Sequence, residues 1–326
     1  MPQSSIAYAV GRVRAAARRP LGEAQLERLL SAHSHEEALS LLVEMGWPEV
    51  AGQEVDQVST AMLEEVCQRL RKITSDPGLT DSFLLRHDVQ NLKALFKARI
   101  LGIKPDALSA CGTIPLQVLR HAVTEHDYKR LPAAFQQVMN LLEKKVAVQV
   151  NPMEIDVLLD QALFGIIAER IKSSKSEAAK AYFAGKADLQ NAVAYLRLAA
   201  MDTEGIRFGD ILLPGGSITE AAWKEIQRKP EKLPAAYAKY PKEVKLALEA
   251  AIRDIRRLPA LEKAADDYLI SLFRPQRYDP FAIEVLIGWL LAHEREAGAV
   301  RLIMAGKLNG FDEGLIRERL REAYGQ

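Results

Sequence analysis

A helical phrase that returns after one hundred residues constrains this chain more than any other feature. It reads Asp88-Val89-Gln90-Asn91 and runs into Leu92-Lys93-Ala94-Leu95-Phe96-Lys97. The second copy is Asp188-Leu189-Gln190-Asn191, followed by Ala192-Val193-Ala194-Tyr195-Leu196-Arg197. A fainter third copy starts at Glu296, with Ala299-Val300-Arg301-Leu302-Ile303-Met304 in place of the segment that begins at Asn91. A unit of that length is a small helical module, and three such units fill 326 residues with little left for a separate catalytic domain. The expected division is 1–135, 136–235 and 236–326, three units of one continuous all-α body.

Apolar spacing supports helices throughout. Two short helices are expected between Gln25 and Leu42, broken at His33-Ser34-His35, with Ser34 as N-cap and Glu37 completing a capping box. Met62 to Ile73 forms another, stopped at Ser75-Asp76-Pro77-Gly78. Ser82 to Leu101 is an uninterrupted helix closed by Gly102. In the second unit, helices are expected over Asp156–Ile171 and from Glu177 towards Met201. The third has them over Val244–Ile255 and Pro259–Phe273, and from Phe281 to Asn309-Gly310, with a short amphipathic helix after that. Val146-Ala147-Val148-Gln149-Val150 is the one alternating stretch, and it fits a strand or an extension of the helix before it.

Each of the first two repeat helices precedes a matching loop. Ser109-Ala110-Cys111-Gly112-Thr113-Ile114 and Leu213-Pro214-Gly215-Gly216-Ser217-Ile218 agree in small residue, hydroxyl and β-branched residue, with four more residues before the second. Asp88/Asn91 and Asp188/Asn191 each place two polar groups on one helical face. They either hydrogen-bond a loop or helix end and fix how elements pack, or line a groove that grips a partner.

Composition narrows the function. Forty-four basic and 43 acidic side chains leave a net charge of +1, so nucleic acid is not an indicated partner and charge-driven contact must be local. Arg12, Arg14, Arg18 and Arg19 form such a local patch, in a first stretch of 21 residues without an acid. A solvated helix face is the default for it; contact with acidic headgroups or an acidic loop of a neighbouring protein is the functional option. Cys67 and Cys111 have no metal-ligand spacing and are expected to be buried, free thiols in a reducing compartment. The longest apolar run, Val285 to Ala292, is well short of the ~18 residues of a membrane span, so a cytoplasmic protein is expected.

Catalytic motifs are missing. Gly306-Lys307-Leu308 and Gly185-Lys186-Ala187 both fail the phosphate-loop pattern. His35-Glu36 and His293-Glu294 lack the second histidine of a zinc-protease helix. His33, His35 and His293 read as solvated, and Asp156/Asp160 and Glu294/Glu296 as wetted faces. No catalytic residue, cofactor or metal is expected.

These residues together resemble a family: the C subunits of prokaryotic V-type ATPases, themselves similar to the d subunit of the eukaryotic enzyme. Tyr8 and Arg12-Val13-Arg14 open the match, and Leu84-Leu85-Arg86-His87-Asp88-Val89-Gln90-Asn91-Leu92-Lys93-Ala94-Leu95 carries most of it. Gly112-Thr113-Ile114, Asp188 to Asn191, Leu213 to Ser217, Glu294-Arg295-Glu296, Val300-Arg301-Leu302 and Gly306-Lys307 continue it to the end. Ala299 departs from the pattern, standing where the other copies have Asn. The resemblance implies a funnel of three pseudo-equivalent helical units around a central cavity. It implies a non-catalytic central-stalk subunit, one copy in a hetero-complex, peripheral on the cytoplasmic face of the membrane. Its partners would be the rotor shaft, inserted in the cavity, and the proteolipid ring, for proton or sodium transport. The alternative is an unrelated helical scaffold, but repeats of about 33 to 47 residues, as in the common solenoids, are not seen.

Overall fold

The computed structural model describes residues 5–16, 19–49, 55–105, 108–146, 151–201 and 207–324. Every regular element among them is helical, and no strand occurs among the described residues. The fold class is all-α. In chain order the first helices are α1 (Ile6–Arg14), α2 (Glu23–Leu30), α3 (His35–Glu44) and α4 (Val55–Ile73). They are followed by α5 (Pro77–Leu101), α6 (Leu116–Thr124), α7 (Ala133–Val146), α8 (Pro152–Lys172) and α9 (Glu177–Ala200). Next come the short α10 (Phe208–Ile211), α11 (Glu220–Arg228) and α12 (Leu233–Ala236). The last are α13 (Lys242–Arg253), α14 (Leu258–Ser271), α15 (Glu284–Leu308) and α16 (Glu313–Arg319).

The chain forms two compact units. One joins Met1–Asp76 to Tyr237–Gln326; the other is Pro77–Ala236. In the first, α15 is the axis: α1, α2, α3, α4 and α16 all pack on it. Leu26, Leu29, Leu30, Leu41 and Leu42 from α2 and α3 share a core with Val300, Ile303 and Met304 of α15 and Ile316 of α16. Burial of such large aliphatic side chains contributes about 1.5–3 kcal/mol each, which ties the chain's two ends into one body. In the second unit α5 packs on α8 and α6, and α8 on α7 and α9. Phe83 meets Phe183 at 4.6 Å and Tyr182 at 5.2 Å between ring centres. Near the far end of α9 a second aromatic group joins Tyr195, Phe208 and Trp223, with Phe208 and Trp223 4.9 Å apart.

Helix ends follow local chemistry. Ser34, Ser176 and Thr219 cap α3, α9 and α11 by accepting from backbone amides three residues on. Glu37 does not complete a capping box on Ser34; its carboxylate accepts from the His33 amide instead, at 2.7 Å. Helix α4 ends at Ile73 as expected, and α5 starts at Pro77, ahead of the expected Ser82, because proline needs no amide partner at a first helical position. Helix α4 begins at Val55, well before the expected start at Met62, and Val55, Val58 and Met62 pack into the core of this unit. Residues 147–150 of the alternating stretch lie outside the described residues.

Three expectations about polar residues are corrected. His293 is buried, its Nδ1 2.8 Å from the Trp289 carbonyl and its ring 4.9 Å from the indole, so Nδ1 carries the donated proton. Glu296 is buried as well. Both differences have one cause: α15 is enclosed on nearly all sides, so it has no wetted face at these positions. Asp156 and Asp160 are half-exposed partners of α5, in which Lys97 donates to Asp156 at 2.6 Å and Lys93 to Asp160 at 2.7 Å. Burial pushes the Asp160 carboxyl up from its ordinary range, against the pull of Lys93. Cys67 and Cys111 are buried and are not joined in a disulfide. No helix among the described residues is long and apolar enough to cross a membrane.

Candidate functional site

The repeated polar pairs hold loops. On α5, Asn91 makes a two-way bridge to Ser109: its amide donates to the Ser109 carbonyl at 2.8 Å and its oxygen accepts the Ser109 N–H at 3.0 Å. One turn earlier, the Asp88 carboxylate accepts from Thr113 N–H and Oγ1, both at 2.7 Å, and from Ile114 N–H at 3.0 Å. On α9 the same wiring recurs. Asn191 donates to the Leu213 carbonyl at 3.0 Å and accepts its N–H at 2.8 Å. Asp188 accepts from Ser217 N–H at 3.1 Å, from Ser217 Oγ, and from Ile218 N–H at 3.0 Å.

All four side chains are buried, and each carboxylate receives three hydrogen bonds. Such bonding satisfies the carboxylate oxygens that burial removes from water. The loops' identity follows from the clasp. A Cβ at Gly112 would lie 2.1 Å from Asp88 Oδ1, and one at Gly216 2.3 Å from Asp188 Oδ1. Only glycine admits that approach, and only a hydroxyl residue next to it fills the third acceptor site. The shared order of glycine, hydroxyl and β-branched residue is therefore a description of one clasp built twice.

On α15 the clasp changes form. Glu296 accepts from the indole Nε1 of Trp47 at 3.0 Å, a side chain from the turn after α3. Ala299, at the position of the two asparagines, is buried in the core with α2 and α3. The longer Glu296 reaches a side chain where the two aspartates reach a backbone. Nothing in the sequence singles out Trp47; Gly46, at φ +90°, is the one trace of the turn that swings it inward. Glu296→Ala is expected to lower stability by about 2 kcal/mol, since it takes a charged acceptor away from a buried indole. Urea unfolding of the variant against wild type reads that loss directly.

The arginine patch is mostly surface. Arg12 and Arg19 are not buried, and Arg14 donates to the Arg277 carbonyl at 3.2 Å. Arg18 lies outside the described residues. A separate polar network ties α5 to the connection after α6 and to α7. Arg99 donates to the Val123 carbonyl at 2.6 Å and to Glu143 at 2.7 Å, and the Tyr128 hydroxyl donates to the same carboxylate. Burial, with the Glu143 hydrogen bond, pushes the Tyr128 phenol up. At Glu143 burial acts in the same upward direction but is outweighed by the bonds from Tyr128 and Arg99, which hold the carboxyl below its ordinary range. These groups satisfy one another, as a network that fixes structure does.

A family model described as ATP synthase (C/AC39) subunit matches residues 9–319, which spans all three repeat helices and both loops they hold. The chain belongs to this family. Among its relatives, the C subunit of the V-type sodium ATPase of Enterococcus hirae is 23% identical over 265 residues, 79% of this chain and 79% of that protein. The C subunit of the V-type ATP synthase of Thermus thermophilus is 24% identical over 288 residues, 83% of this chain and 84% of that protein. The reading as an unrelated scaffold is set aside. Membership makes the chain a component of a V-type ATPase or ATP synthase, and so part of a hetero-complex.

Proposed function

We propose that this chain is the non-catalytic central-stalk subunit that couples the rotor shaft of the complex to the proteolipid ring, for proton or sodium transport. The observation that carries this reading is the family match over residues 9–319, with relatives named as C subunits of V-type machines. In it, 1–135, 136–235 and 236–326 act as three pseudo-equivalent units of a funnel whose central cavity receives the shaft. The chain rests on the cytoplasmic face of the ring and turns with it. Asp88, Asn91, Asp188, Asn191 and Glu296 stiffen the body, and Arg12, Arg14, Arg18 and Arg19 offer a cationic contact to a neighbour.

The physical argument is rigidity. A torque-bearing link must not yield under load, and buried carboxylates that each hold three hydrogen-bond donors lock loop to helix through directional bonds. Close-packed helical interiors have low compressibility and transmit strain. The test is co-purification from the assembled complex. The expected result is recovery of both the shaft protein and the proteolipid ring with the tagged chain; a tagged chain that captures neither contradicts the proposal.

A further inference from the structure

The far faces of the two clasp helices carry a second match that the loops do not explain. Arg86 and Lys186 each stand two residues before the clasp aspartate, and Gln90 and Gln190 two residues after it. Two residues are about 200° of turn on an α-helix, so these groups lie opposite the clasp. In the third copy the same positions hold Glu294 and Gly298, so the match is confined to α5 and α9.

All four residues line one hollow. It lies between α5, α8 and α9, wholly within the unit Pro77–Ala236, and has a volume of about 170 Å³. Phe83, Leu163 and Phe164 supply an apolar wall, and all three are buried. Gln90 and Gln190 are exposed and mark its mouth. Lys93 also lines it, and the single acid of the lining, Asp160, is already held by Lys93 at 2.7 Å. Lys186 has no such partner. Its ammonium lies 3.4 Å from the Tyr182 hydroxyl and 5.5 Å over that ring, and no carboxylate pairs with it among the described residues. Three cations against one carboxylate leave the hollow cationic, and a half-buried ammonium is best satisfied by an anion.

Volume and lining select the anion. Sites for drug-sized ligands run to about 300–1,000 Å³, so this hollow admits one side chain or an ion of similar size. An inorganic anion would use the charges and leave the aromatic wall unmatched. A glutamate uses both, with its methylenes on the wall and its carboxylate at the ammonium. We propose, on the basis of the function argued above, that the hollow receives an acidic side chain of the shaft protein. Of the two partners, a shaft helix laid along a groove between helices is the one that presents single side chains to it. The charge pair then fixes the register of the shaft on this unit.

The test measures binding of the full chain to the purified shaft protein, with inorganic phosphate as a second probe. Lys186→Glu is expected to weaken shaft binding about tenfold. Should that variant fail to fold, Lys186→Gln, expected to weaken binding about threefold, carries the test. Lys175→Glu, the same charge reversal at an exposed lysine before α9, should bind the shaft as wild type does. A shaft variant with lysine in place of one of its acidic residues should restore binding to Lys186→Glu. Normal shaft binding by the Lys186 variants, while wild type binds, overturns this inference and leaves the coupling role standing. Normal shaft binding together with loss of phosphate binding makes the hollow a small-anion site and overturns it too. So does a loss of shaft binding that no acid-to-lysine variant of the shaft restores. Wild type that does not bind the shaft at all removes the coupling role and this inference together.

Discussion

Asp88→Ala is expected to lower the unfolding free energy by about 3 kcal/mol, as hydrogen bonds to a buried charged group contribute most when their loss strands the donors. Three donors lose their acceptor at once: the amides of Thr113 and Ile114 and the Thr113 hydroxyl. Alanine supplies no replacement, and the cavity it leaves is enclosed by the loop that the carboxylate had held. Asp188→Ala should behave alike, because its three donors are the corresponding groups of Ser217 and Ile218. Asp88→Asn keeps the volume but turns one acceptor into a donor facing backbone N–H, so an intermediate loss is expected. Urea titrations followed by circular dichroism give all three values. A change under about 1 kcal/mol at both aspartates would mean that the clasps do not carry the loops.

The second large effect is predicted at glycine. Gly112→Ala puts a methyl 2.1 Å from Asp88 Oδ1, 2.8 Å from its Cγ and 3.2 Å from its backbone nitrogen. The carboxylate cannot swing aside without releasing the loop, and the nitrogen belongs to α5. The expected loss is about 3 kcal/mol, at the upper end of overpacking effects because the clasp opens as well. Gly165→Ala is the control. That glycine lies within α8 with nothing within 4 Å of the added carbon, so it should gain about 0.5–1 kcal/mol from helix propensity alone. The double variant Asp88→Ala/Gly112→Ala should be less destabilised than the sum of its parts, since the methyl then has room. Additive losses would show that the two residues do not act on each other.

How far the sequence discloses this structure depends on the kind of interaction. The long helices are legible because apolar spacing and stop signals are local, and Gly102 and Gly310 close α5 and α15 where a left-handed residue is needed. The two full clasps are half legible. A pair three residues apart signals one face, and the matching loops signal a common constraint, but sequence does not say whether that face meets a loop or a partner. The face meets a loop in both copies, through Ser109, Thr113, Leu213 and Ser217.

What stays hidden is long-range. His293 and Glu296 read as wet because charge on a helix usually is, whereas α15 is wrapped by helices from both ends of the chain. Trp47 stands 249 positions before its acceptor, and no periodicity links them. The pairing of Lys93 and Lys97 with Asp160 and Asp156 likewise depends on α5 lying on α8. Spacing reports order along a chain; it does not report that residues 1–76 pack with residues 237–326.

The coupling role is tested most directly by ATP-driven ion uptake into vesicles that contain the complex reassembled with or without this chain, with ATP hydrolysis measured in the same samples. The predicted result is hydrolysis in both, and uptake only where the chain is present. Uptake that proceeds equally well without it would contradict the role assigned here.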